Sequence, residues 1–403
     1  MSRRATVDTV IGQRIRDRRE LAGWSIRHAA DRAGIAASTW SRIEHGRISA
    51  DSRATLAAIA QALRCPVADL TGLPADPVGR DRIETGGALY ETIRAVVDAD
   101  LDCRPDGSDH ASDPLPALTR ELDLVCDLRA RCEYVSAATR LPALIRGLHR
   151  ATFGSERDRA LQALVVAMDT ASFVVRYAGH PGSACLVAER TRQAAETLGD
   201  PVLLGLATWS RVHAALGMGL LPRARQLAER GVHDLRNCTN APAGAEMYGQ
   251  LLMTQAFTLF VEGRTEDSLE PVAEAQAIAA RTGESAALRL MFGPTNISLW
   301  RISMEAGGAD PDRAVEIARH TQPQLVDSVS RQFAYYADTG RALARTGKDQ
   351  EALRMLLTAE RLGPQRMRSP LIAETVRGML DRARRGTGWT ELRGLCERLG
   401  LGH

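Results

Sequence analysis

The chain reads as all-α, with a small head of five short helices and a long body of paired helices. Three observations carry this reading. Apolar residues recur at three- and four-residue spacing through almost the whole chain, and alternating stretches bounded by turn signals are missing. Gly179, Gly219, Gly263, Gly308 and Gly347 each punctuate helical stretches at intervals of 40, 44, 45 and 39 residues, a period that means stacked helical pairs. The segment Leu73-Pro74-Ala75-Asp76-Pro77-Val78-Gly79-Arg80 cannot continue a helix and reads as a linker. The expected division is a head at 1–73, a linker region at 74–116 and a body at 117–403. The linker region holds one helix near Ala88–Ala99 and an acidic mobile loop from Asp102 to Pro116.

Composition narrows the class. A chain of 403 residues, 44% hydrophobic and 25% charged, builds a core without disulfide or metal staples. No apolar run reaches the ~20 residues of a membrane span. No apolar segment follows Arg3 and Arg4, so the expected location is cytoplasmic, without a membrane partner. Seven scattered cysteines imply reduced thiols. Residues 1–73 carry twelve arginines against seven acids, a net +5, which leaves −2 for the remainder; Lys348 is the only lysine. A small basic head on a slightly acidic body is the charge layout of a nucleic-acid-binding module attached to something else.

In the head, Ile11, Ile15 and Leu21 stripe the first helix, and Gly23 is placed to end it. Ser25 is a good N-cap for a second helix to about Ala33, in which Ala29, Ala30 and Ala33 permit close packing. Gly34 breaks the chain before a third helix, about Ala36–His45, closed by Gly46. There Trp40 and Ile43 share one face, while Ser38, Ser41, Arg42 and His45 follow i, i+3, i+4, i+7 on the other. Asp51 or Ser52 caps a fourth helix striped by Leu56, Ile59 and Leu63, and a short fifth follows around Pro66–Leu70.

Ala29-Ala30-Asp31-Arg32-Ala33-Gly34-Ile35 followed by Ser38-Thr39-Trp40-Ser41-Arg42-Ile43-Glu44-His45-Gly46 resembles the helix-turn-helix (HTH) of the Cro/phage-repressor (Xre) family. The resemblance covers about the first 70 residues. It implies a homodimer on double-stranded DNA with a pseudo-palindromic operator, the second motif helix lying in the major groove. Its DNA-binding set is then Arg27, Ala37, Ser38, Thr39, Ser41, Arg42, His45 and Arg47, with Arg42 on a guanine edge and Arg27 and Arg47 on phosphate. Two positions depart from the family. Ile26 stands where a phosphate-contacting Gln is common, and Ala36 replaces the usual Ser cap. Trp40 reads as core and Glu44 as structural, because a carboxylate facing phosphate is repelled.

In the body, Gly340, Gly347, Ala352, Ala359 and Pro364 keep spacings of 7, 5, 7 and 5 that resemble a tetratricopeptide repeat (TPR); the alternative is an irregular helical bundle. The resemblance implies that the first helix of each pair lines a concave surface. Counting back from each glycine selects Asp169, Phe173 and Arg176; Trp209 and His213; Gln250, Met253 and Phe257; Ala337 and Arg341; and Asn296 or Ser298. In a chain only 4% aromatic, this set suits a mostly apolar ligand held by a few hydrogen bonds; a frame off by one would place the same rings in helix interfaces. An HTH ahead of helical repeats also resembles the peptide-sensing quorum regulators of Gram-positive bacteria and the Xre/TPR-like regulators of actinobacteria, which implies a small-molecule or peptide effector.

No catalytic residue, cofactor or metal site is expected. Asp98-x-Asp100-x-Asp102 opens like a calcium loop but has Cys103 at position six and Asp109 at position twelve. Gly217-Met218-Gly219 lacks the third glycine of a dinucleotide fingerprint, and no nucleophile-elbow, zinc-protease or phosphate-loop pattern occurs. The expectation is a non-enzymatic transcriptional regulator that senses a signal through its body. The rival is a DNA-tethered adaptor whose repeats bind a protein partner.

Overall fold

The structure, a computed structural model, describes residues 7–48, 53–63, 65, 70, 80–103, 114–383 and 389–401. The head contains α1 (Val7–Leu21), α2 (Ile26–Ala33), α3 (Ala37–Glu44) and α4 (Arg53–Ala62). Ser25 caps α2 by accepting from the His28 amide at 3.1 Å, and Gly34 ends it in the left-handed region at φ 64°. Asp51, Ser52, the Pro/Gly segment before Arg80 and, apart from the buried Leu70, the expected fifth helix lie outside the described residues.

The head closes around Ile11, Ile15, Ala29, Ala30, Trp40, Ile43, Leu56 and Ile59, all buried. Helix α1 approaches α3 so closely that a Cβ on Gly12 would stand 2.3 Å from the Ile43 carbonyl oxygen. Across the same contact Arg19 donates to both Glu44 oxygens, Nε at 2.6 Å and Nη2 at 3.0 Å, and Nη1 reaches the Trp24 carbonyl at 2.8 Å. Trp40 Nε1 also donates to Glu44, at 2.5 Å. The carboxylate is buried at the end of the third helix and ties it to the first.

The body begins with α5 (Arg80–Asp98). This helix is packed rather than spanning: Leu89, Ala95 and Val96 enter the main core, and Thr92 Oγ1 donates to the Ala138 carbonyl at 3.0 Å. Seven pairs follow. They are α6 (Leu115–Ala130) with α7 (Tyr134–Ala151), α8 (Arg157–Tyr177) with α9 (Pro181–Leu198), α10 (Pro201–Gly217) with α11 (Leu221–Leu235), and α12 (Gly244–Val261) with α13 (Leu269–Thr282). Then come α14 (Pro294–Gly307) with α15 (Pro311–Arg319), α16 (Val329–Arg345) with α17 (Asp349–Leu362), and α18 (Pro370–Ala383) with α19 (Trp389–Arg398). The described residues contain no strand beyond an isolated bridge, Ser285 to Phe292.

All five spaced glycines fall between the helices of a pair, four of them at positive φ. Gly308 differs, at φ −90° and ψ −164°, so α14 ends in an extended step. In the first pair the turn is made by Cys132, held at φ 64° where four later pairs use glycine. Within the last repeat of TPR spacing, a Cβ on Gly340 would touch Leu356 at 3.0 Å, and Ala352 and Ala359 are fully buried in the opposing helix.

The stack curls until its ends meet. The Tyr134 amide donates to Gln365 Oε1 at 2.9 Å, 231 residues away, and Arg289 reaches Asp123 at 2.5 Å and Asp127 at 3.0 Å. Of the described helices, Arg157–Tyr177 alone is long and apolar enough to cross a membrane; 72% of that stretch is buried in the body's core.

Glu44→Ala is expected to destabilise the head by about 3–5 kcal/mol, because it leaves the Arg19 guanidinium buried without its anion. Ser38→Ala, on the exposed face of the same helix, should stay within about 0.5 kcal/mol. Chemical denaturation of both variants followed by tryptophan fluorescence checks the contrast.

Candidate functional site

Two surfaces are candidates: the outer face of α3 and the interior of the curled body. On α3, Trp40 is fully buried and Ile43 nearly so, which leaves the opposite face outward. Ala37, Ser38, Arg42 and His45 are exposed, and Thr39 and Ser41 are half-buried. Arg27, Arg42 and Arg47 project into solvent with no ion pair or hydrogen bond from their side chains among the described residues. His45 Nδ1 folds back to the Ser41 carbonyl at 2.7 Å and dresses the helix end. Ala36 makes no side-chain cap, so the leading amides of α3 are free to meet a phosphate oxygen. Ile26 packs its side chain onto the head core, which accounts for an apolar residue at that place. Arg3 and Arg4 lie outside the described residues.

The concave faces of the body line a deep, open-mouthed cavity of about 1510 Å³. One wall is aromatic: Phe173 stacks on Trp209 at 4.6 Å, His213 sits edge-on to Trp209 at 4.6 Å, and Trp300 bridges His213 at 5.8 Å and Phe257 at 5.4 Å. The other wall is rich in arginines, with Asp327, Asp338 and Glu360 also in the lining. The Arg176 guanidinium lies 4.8 Å from the Phe173 ring and 4.3 Å from Tyr177; Arg366 lies 4.9 Å from Tyr177 and 4.6 Å from Phe333; Arg331 lies 5.3 Å from Trp300. Arg129 is paired with Asp169 at 3.1 Å. Leu56 and Ala57, from α4 of the head, complete the lining together with Leu371.

The chemistry of the wall follows from these charges. Burial pushes the Tyr177 phenol up, but Arg366, Arg176 and Arg331 outweigh it and bring it down to about 7. Arg331 is pulled down to about 10 by burial. His213 is held well below its ordinary value by burial, then by Arg176 and Arg331, so its imidazole is neutral. Asp169, behind Arg129, is pushed up to about 6 by burial against the pull of that arginine.

Of the residues expected to line a ligand surface, Phe173, Arg176, Trp209, His213, Phe257, Ala337 and Arg341 face this cavity. Asp169 lies one turn behind it. Gln250 and Asn296 meet each other at 3.5 Å inside the body, Met253 is fully buried in the core, and Ser298 bonds back to the Pro294 carbonyl; none of these four lines the cavity. Arg129, Tyr134, Tyr177, Trp300, Arg331 and Arg366 line it and were not anticipated. The glycine count misses the first pair because Cys132 makes its turn. It slips by two residues in α14 because Gly308 is not left-handed, so Trp300 faces inward where Asn296 or Ser298 was expected. Extending the count two more turns back along α16 reaches Arg331. The acidic triplet supplies a turn, the Asp102 amide donating to Asp100 Oδ1 at 3.0 Å, and Asp109 lies outside the described residues.

Residues 10–73 match a family described as a helix-turn-helix domain. Among solved structures, the chain is similar to the crystal structure of Bacillus thuringiensis PlcR in complex with the peptide PapR7 and DNA. The identity is 14%, over 68% of this chain and 95% of that one, with a TM-score of 0.36. No curated protein matches the chain. The head is thus a helix-turn-helix domain, and the TPR-like assignment of the body stands on its own elements: paired helices, left-handed glycine turns and a concave face lined by first helices.

Tyr177 gives a spectroscopic handle. One tyrosine should ionise near pH 7, read as a one-residue rise in absorbance at 295 nm that disappears in Tyr177→Phe. A phenol whose folded pKa lies below its unfolded value of about 10 adds stability as pH rises between the two. The wild type should therefore gain stability from pH 7 to 9.5 relative to Tyr177→Phe in denaturant titrations.

Proposed function

We propose that this chain is a cytoplasmic, sequence-specific transcriptional regulator. It binds a pseudo-palindromic operator as a homodimer, and its body holds a small-molecule or peptide signal that changes operator affinity. The observation that carries the reading is the shared wall of the cavity: Leu56 and Ala57 belong to the DNA-binding head, whereas the aromatic and cationic residues belong to the body. A molecule in that space touches both units. If it binds one head position better than another, it shifts the DNA-binding equilibrium by that difference in affinity.

DNA recognition rests on α3. Arg42 is exposed opposite Trp40 and Ile43, at a position from which its planar fork reaches a guanine O6/N7 edge, while Ser38 and Ser41 reach bases or phosphates and Arg27 and Arg47 reach phosphates. The adaptor reading, with a protein partner on the repeats, is less well supported, because the contact of Tyr134 with Gln365 bridges the two ends of the concave face and narrows the groove. The reading assigns no enzymatic role.

Selection of bound duplexes from a random pool defines the operator. Arg42→Ala should cost about 1–3 kcal/mol of operator binding and relax preference at one base position per half-site. A folded variant that keeps full sequence preference would remove the base-reading role. Binding of the wild type should weaken steeply with salt as phosphate-bound counterions are released, and a flat dependence of log K on log salt would count against the phosphate contacts.

A further inference from the structure

We infer that the cavity of the body is built for an anion: a carboxylate or phosphate group carried on an apolar or aromatic molecule, its charge held between Arg176, Arg331 and Arg366 and its body laid along Trp209 and Trp300. This deepens the sensing reading above and rests on it.

The argument starts from charge. Three guanidinium groups surround Tyr177 on the wall of one deep cleft; Arg366 donates to the Ser330 carbonyl and hydroxyl, and none of the three pairs with a carboxylate among the described residues. Three other arginines of the body are matched: Arg129 with Asp169, Arg341 with Asp338 at 2.8 Å, Arg398 with Glu360 at 2.7 Å. A smaller depression of about 460 Å³ between α9, α10 and α11 shows the same economy, its Arg211 resting on Glu189 at 2.6 Å. Like charges held close together destabilise a fold, and contact with aromatic faces, the Ser330 oxygens and the Tyr177 phenol offset only part of that. A native chain keeps such strain where a ligand relieves it.

The hydrogen-bond inventory points the same way. Arg176 Nε, Trp209 Nε1 and Trp300 Nε1 are buried on the cavity wall with no acceptor. All three are obligate donors, so the missing partner is an acceptor. Trp209 and Trp300 are only 4% and 7% exposed, which places their N–H groups beyond the reach of bulk water. A planar fork such as guanidinium matches a carboxylate or phosphate two-on-two, and the adjoining rings offer flat apolar surface to whatever carries it. The cavity volume exceeds that of a usual small-molecule pocket, so the carrier is an extended body and not a bare inorganic ion.

The test uses the full-length protein and two fluorescent probes that differ only in charge: 1-anilinonaphthalene-8-sulfonate and neutral N-phenyl-1-naphthylamine. The sulfonate should bind at least tenfold more tightly. Arg331→Met and, separately, Arg176→Met should weaken the sulfonate at least tenfold, leave the neutral probe within twofold, and raise the melting temperature of the unliganded protein by relieving repulsion. Equal affinity for the two probes, or variants that melt earlier or lose both probes alike, would overturn the inference and make these arginines structural. Competition then separates the sources: arylalkanoates and a peptide with a free C-terminus, but not its amide, displace the sulfonate if the group is a carboxylate, whereas aryl phosphates displace it if the group is a phosphate. Operator titrations in parallel keep the two readings apart. Anion binding that leaves operator affinity unchanged defeats sensing and spares the anion site; a neutral effector that shifts operator affinity, with no anion preference, does the reverse.

Discussion

The closure of the helical stack on itself is the constraint from which the rest of the body follows. Helical pairs stacked with a constant small rotation make an open concave groove. Here the groove is bridged where the turn within the first pair meets the segment after the sixth. The Tyr134 amide bonds to Gln365 there, and Gly363 leaves room for Cys132, whose sulfur would stand 3.2 Å from any Cβ at that position. Arg289 adds a second clasp to Asp123 and Asp127. Because these contacts are made, Arg176, Arg331 and Arg366, brought from separate stretches of chain, converge half-buried on one cavity wall.

Burial changes what each side chain does. The same guanidinium on an open face would be hydrated and electrostatically mild. Inside, Arg331 is pulled down to about 10 and the neighbouring phenol of Tyr177 falls to about 7, while His213 stays neutral. The head takes the opposite course. Its buried charge, Arg19, is saturated by Glu44 and the Trp24 carbonyl, so the scaffold beneath α3 is electrostatically satisfied, and the unpaired arginines stand outside on the solvent side.

Much of the architecture is legible in the amino-acid order because it is governed by local rules. Gly34 and Ser25 mark helix ends by backbone and cap chemistry, Trp40 and Ile43 declare an inner face by spacing, and glycines at intervals of about 40 residues announce paired helices. The cavity is only half legible. Phe173 and Phe257 sit six residues, and Trp209 ten, before a left-handed glycine, offsets one helical turn apart, so counting finds them. Arg129 lies in a pair whose turn is made by Cys132, Trp300 precedes a glycine in an extended conformation, and Arg366 is in a short 3-10 turn beyond α17. Their convergence depends on the curvature accumulated over several pairs, a sum that no local pattern encodes. Gln250 and Asn296 show the reverse error: polar residues at lining offsets that turn into the interior, where Asn296 Nδ2 donates to Gln250 Oε1 and their other amide atoms stay without a partner.

The presence of Leu56 and Ala57 in the cavity lining bears on how modular such a chain is. A DNA-binding head joined only through a tether is a cassette, exchangeable among bodies without consequence for either. This head contributes a wall of the compartment, and Leu371 at the start of α18 packs in return against the head's core. Exchanging the head would therefore alter the shape of the chamber as well as the outer face of α3, and under the regulator reading proposed above, chimaeras that preserve the residues at 56, 57 and 371 are the ones expected to carry a new DNA specificity without disturbing the chamber.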